Sequence, residues 1–132
     1  MNRAQELQLE LIKLASFNNL DGEQVVKDLL DNKDLWNGVI IGRDSGAVID
    51  KVEVKDSLFI SAGMDLIALR DIKSGYNVDT IYIDTVPGKE NKLELLIRRN
   101  WLADEIDWLE DKQVFNQLGT SAKHSILRVW WD

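Results

Sequence analysis

Residues 80–101 read TIYIDTVPGKENKLELLIRRNW, and the fold turns on how the second half of that stretch is read. Thr80 to Ile83 is rich in β-branched and aromatic side chains and closes on Asp84-Thr85, so it predicts a strand. Val86-Pro87-Gly88 then punctuates the chain. Beyond it, a second strand would place Leu93, Leu95 and Ile97 on one face and leave Leu96 beside Glu94 and Arg98 on the polar one. A helix instead gathers Leu93, Leu96, Ile97 and Trp101 on one stripe. The helix fits better, so Pro87-Gly88 is read as a strand-to-helix link and not as a hairpin turn.

Working outward, the same rhythm recurs on both sides. Upstream, Leu58-Phe59-Ile60 is a short apolar run closed by Ser61-Ala62-Gly63, and Leu66, Leu69 and Ile72 follow at helical spacing before Gly75. Downstream, Glu105 to Leu109 alternates polar and apolar, Val114, Phe115 and Leu118 form a stripe stopped by Gly119, and Ser125 to Trp131 alternates again. Strand and helix taking turns is the pattern of βαβ units. The expectation is therefore an α/β fold: a small layered sheet, largely parallel through residues 56–132 in a βαβαβαβ order. The alternative is an α+β fold with an antiparallel sheet.

At the start of the chain, Ala4, Leu7, Leu11 and Leu14 share a helical face, predicting a helix over residues 3–17. Asp21 with Gln24 three positions on resembles a capping box opening a second helix that ends near Asn32. Residues 1–33 thus read as a helical hairpin within a single domain spanning 1–132. Between them and the second half, Val39-Ile40-Ile41 and Ala47-Val48-Ile49 flank the turn-like Arg43-Asp44-Ser45-Gly46, which suggests a β-hairpin. Extension of the second helix through Trp36 is the other reading.

Composition removes many chemistries. The 132 residues are 45% apolar and 30% charged, the balance of an ordinary globular domain. With 23 acidic against 16 basic side chains the net charge is −7, which argues against a nucleic-acid backbone or an anionic membrane as partner. There is no cysteine, so disulfides, thiolate metal sites and cysteine nucleophiles are excluded. His124 is the only histidine and precedes a predicted strand, where a surface role outweighs a catalytic one. No signal-peptide core and no membrane-length apolar run occurs, so a cytoplasmic location is expected.

In a parallel sheet, ligands gather where strand C-termini meet helix N-termini. That rule selects Ser61, Gly63, Asp84, Thr85, Lys89 and Asp111 as candidate ligand-binding residues. Asp84 and Asp111 are the pair able to hold Mg²⁺, the one cofactor the sequence suggests, though capping is the stronger explanation of carboxylates at such positions. Thr85-Val86-Pro87-Gly88-Lys89 lacks the leading glycine and the following hydroxyl of a phosphate loop, whose places are taken by Ile83 and Glu90. Asp104, Glu105, Asp107, Glu110 and Asp111 crowd into eight positions and form a candidate surface for a basic protein. Trp130 and Trp131, adjacent in a predicted strand, must leave on opposite faces, so helices cover both sides or one ring marks a partner surface. Trp131 joins Asp104, Asp107 and Glu110 as a candidate interaction residue.

These features favour a small acidic module that binds or regulates another protein, an inhibitor or immunity-type protein among them, without catalytic residues. Two alternatives stand beside it. One is a small Mg²⁺-dependent or phosphate-binding enzyme or sensor working at the strand tips. The other is a homo-oligomer, such as a homodimer, that pairs an exposed edge strand.

Overall fold

The structure, a computed structural model, describes residues 1–43, 69–73, 75–111, 114, 118–119 and 125–132. Helix α1 spans Arg3–Leu14 and opens where the Asn2 side chain accepts a hydrogen bond from the Gln5 amide at 2.8 Å. It stops three residues short of the predicted end. Ser16–Phe17 (β1) and Leu20–Asp21 (β2) form a minimal antiparallel ribbon instead, turned by Asn18 in a left-handed backbone conformation. Helix α2, Gly22–Asp31, starts as the sequence predicts, with the Asp21 carboxylate accepting from the Gln24 amide at 3.1 Å. The helix does not run through Trp36: a 3-10 turn at Lys33–Leu35 leads straight into strand β3, Trp36–Gly42.

Further along lie α3 (Leu69–Lys73), β4 (Thr80–Thr85), α4 (Glu90–Asn100), β5 (Glu105–Trp108) and β6 (Ser125–Trp130). The proposed strand at 58–60 and the second arm of the proposed hairpin, 47–49, fall outside the described residues. The reading of α4 as a helix holds, and Leu93, Ile97 and Trp101 are its buried face.

The largely parallel sheet does not. The four main strands lie in the order β3-β4-β6-β5, and every pairing is antiparallel, so the molecule is α+β. Strands β4 and β5 do run in the same direction on either side of α4, as a crossover requires, but they are not neighbours. The later strand β6 fills the slot between them and runs the opposite way, pairing Thr80–Thr85 with Trp130–Ser125 on one side and Glu105–Trp108 with Trp130–Leu127 on the other. Alternation of strand and helix along the chain fixes neither which strands touch nor their relative direction: α3 lies between β3 and β4, which pair antiparallel.

Helices cover one face of this sheet. Val39 and Ile41 from β3, Ile81 and Ile83 from β4, Leu127 and Val129 from β6 and Ile106 and Trp108 from β5 meet Leu9, Ile12, Val25, Val26, Leu29, Leu93 and Ile97 from the helices in one cluster. An irregularity at Asn37 breaks the register of β3 and carries Trp36 onto this covered face opposite Thr85, where its indole donates to Leu29 O at 2.8 Å. Beyond β6, Trp131 is wholly buried, donates to Trp101 O at 2.9 Å and stacks on the Trp101 ring at 6.3 Å. It is therefore a core residue and not a surface contact, because alternation places it with Leu127 and Val129 on the helix side.

Candidate functional site

The opposite face of the sheet holds the candidate site. Side chains alternate across the strands, so Ile40 from β3, Tyr82 and Asp84 from β4, and Ile126, Arg128 and Trp130 from β6 all leave on the side away from α1, α2 and α4. Tyr82, Val114 and Ile126 form a second, smaller apolar cluster there, with Leu109 and Leu118 packed against it. Between Ile40 and Leu118 lies a hollow of about 300 Å³, lined by Gly38, Val39, Ile40, Tyr82, Asp84, Leu118 and Ile126. Its apolar walls come from the isoleucines and Leu118, and its polar groups from the Tyr82 phenol and the Asp84 carboxylate. Gly38 opposite Asp84 keeps the β3 side shallow, since it carries no side chain.

Of the predicted ligand residues that the structure describes, one lines this hollow. Asp84 does, from the middle of the strand face and not from a strand tip. Thr85, its neighbour, must point to the other face, where it is fully buried and its hydroxyl has no hydrogen-bond partner among the described residues. Lys89 precedes α4, and its amide is already engaged by Val86 O at 2.9 Å, which makes Val86–Lys89 an ordinary closed turn around Gly88. Asp111 is exposed beyond β5 and is not among the lining residues. No group of three or more His, Asp or Glu side chains among the described residues is placed to hold a metal ion. Ser61, Gly63 and His124 lie outside the described residues.

The acidic candidates gather at the far edge of the sheet. Asp104, Glu105, Asp107, Glu110 and Asp111 are all exposed on β5 and its ends. Arg128 offsets part of their charge: its guanidinium bridges Glu105 at 2.9 Å and Asp107 at 3.0 Å and lies 5.9 Å over the Trp130 ring. The Asp104 carboxylate accepts from the Asp132 amide at 2.8 Å.

The sequence reading missed Ile40, Tyr82, Leu118 and Ile126. The signal for Tyr82 was present, since it sits two residues from the predicted Asp84 in a strand and so must share its face. Ile40 and Ile126 join them only through strand pairing over long separations. Comparison with models of protein families, with curated proteins and with solved structures returned no match, so the site is read from its own geometry. No helix among the described residues is long and apolar enough to cross a membrane.

Proposed function

We propose that this chain is a ligand-binding domain, a sensor in kind, whose sheet face away from α1, α2 and α4 takes a small and mainly apolar molecule bearing a cationic or hydrogen-bond-donating head. The observation that carries the reading is the hollow of about 300 Å³ in which Tyr82 and Asp84 stand side by side above walls of Ile40, Leu118 and Ile126. That volume is at the lower end of the range of roughly 300–1,000 Å³ occupied by small-molecule sites, which also share an apolar lining with a few fixed polar groups. A carboxylate on the wall favours an amine over a phosphate, as does the overall charge of −7.

Titration with benzylamine and isoamylamine, and with benzoate and isovalerate as anionic counterparts, tests this by NMR. The amines are expected to shift the resonances of Ile40, Tyr82 and Ile126, and Asp84→Asn is expected to erase the preference for them. No shift at these residues with any of the probes at millimolar concentration defeats the reading.

A protein partner at the β5 edge is the second reading, supported by the five exposed carboxylates from Asp104 to Asp111. Its test is capture of a partner by the wild-type chain against an Asp104→Asn, Asp107→Asn, Glu110→Gln variant. Salt-sensitive capture lost in the variant supports a basic partner; equal capture by both removes this surface.

A further inference from the structure

Among the described residues, strand β3 lies at the edge of the sheet, and one side of its backbone faces away from β4. Such an edge is a template for a further strand. Here α1 occupies it. The Gln5 side chain donates from Nε2 to Val39 O at 2.8 Å, and its Oε1 accepts from the Val39 amide at 2.9 Å. One turn on, Gln8 Oε1 accepts from the Ile41 amide at 3.2 Å. The Gln5 amide thus makes with Val39 the same pair of bonds that a facing residue makes in an antiparallel ladder. Gly38 leaves the space this needs, because a Cβ at that position would stand 3.2 Å from Gln5 Oε1.

We propose that Gln5 and Gln8 form a lock that keeps the β3 edge closed to a second copy of this chain. The outward groups they hold belong to alternate residues, Val39 and Ile41. Two copies related by a two-fold axis would therefore pair Val39 with Ile41 and Ile41 with Val39, leaving Ile40 opposite Ile40 as a close, non-hydrogen-bonded pair. Ile40 is 47% exposed, so this arrangement also buries an apolar side chain that the single chain leaves half in water. Release of α1 from the edge converts an occupied strand into a dimerisation surface. The inference does not depend on a ligand in the neighbouring hollow.

Sedimentation velocity over a concentration series on the wild type and on Gln5→Ala/Gln8→Ala tests the lock. The wild type is expected to stay monomeric, and the double variant to dimerise at least tenfold more tightly. Adding Ile40→Lys to the double variant is expected to restore the monomer, because it sets like charges face to face. A double variant that folds and stays monomeric overturns the proposal, as does a dimer indifferent to Ile40→Lys or a wild type already dimeric. Amide exchange on the wild type gives an independent reading should the double variant fail to fold. The Val39 and Ile41 amides are expected to be protected like those bonded within the sheet, and exchange at free-peptide rates overturns the lock.

Discussion

Gly22, at the start of α2, lies against the backbone at the end of α1. A Cβ at this position would stand 1.9 Å from Ile12 O and 2.8 Å from Ala15 O, backbone atoms that cannot swing aside. Gly22→Ala is therefore expected to cost about 3 kcal/mol, at the upper end for overpacking, read as a lowered midpoint in urea. Asp28 is a second such point. Its nearly buried carboxylate accepts from Gln24 Nε2 at 3.0 Å, Asn100 Nδ2 at 3.2 Å and Trp101 Nε1 at 2.9 Å, tying α2 to the end of α4. Asp28→Ala strands the buried Trp101 donor and is expected to destabilise by about 2–3 kcal/mol in the same measurement. Tyr76 gives a pH signature, since burial holds its phenol above its usual value near 10.0. A raised folded-state value means the contribution is whole below about pH 10 and fades as pH climbs through the folded-state value. Thermal melts of the wild type are thus expected to fall more steeply above pH 10 than those of Tyr76→Phe. The sequence announced the Asp21 cap because its partner is three residues away. It was silent on Asp28 because Asn100 and Trp101 are 72 and 73 residues distant.

Among the elements, those with a local cause were legible. The α4 stripe follows from Leu93, Leu96, Ile97 and Trp101, and the outcome matches although Leu96 is only partly buried. The β1–β2 ribbon was missed because Ala15 and Phe17 continue the apolar spacing of α1 and hide its end. Arg43, just past β3, shows how non-neighbouring elements are tied together. Its guanidinium meets Asp71 of α3 at 2.8 Å and Asp79, ahead of β4, at 3.9 Å, and both carboxylates are nearly buried. Arg43→Met removes that cation and is expected to cost about 2 kcal/mol, below the full value for a buried pair because Arg43 keeps part of its surface in water. The loss should appear as faster exchange of the Asn77 and Asp79 amides, which bond to Asp71 O at 3.3 Å and Gly42 O at 3.2 Å. Of the candidate site, Asp84 alone was foreseen. Its setting was not, because the hollow is built from strands distant in the chain and the expected strand-tip rim belongs to a different topology.

At the scale of the whole molecule, the arrangement of strands explains why a sound local reading gave the wrong sheet. Alternation correctly implied that β4 and β5 run the same way with a helix between them; the insertion of β6 separated the two and made both of their shared contacts antiparallel. It also changes what happens as the chain is made. Synthesis delivers β3, β4 and β5 while the place between the latter two is still vacant, and only the arrival of Ser125–Trp130 turns separate pieces into one sheet. A nascent chain halted at Glu110 should consequently be protease-sensitive and recruit chaperones. Completion through Trp131, which docks on Trp101, should end both in a single step.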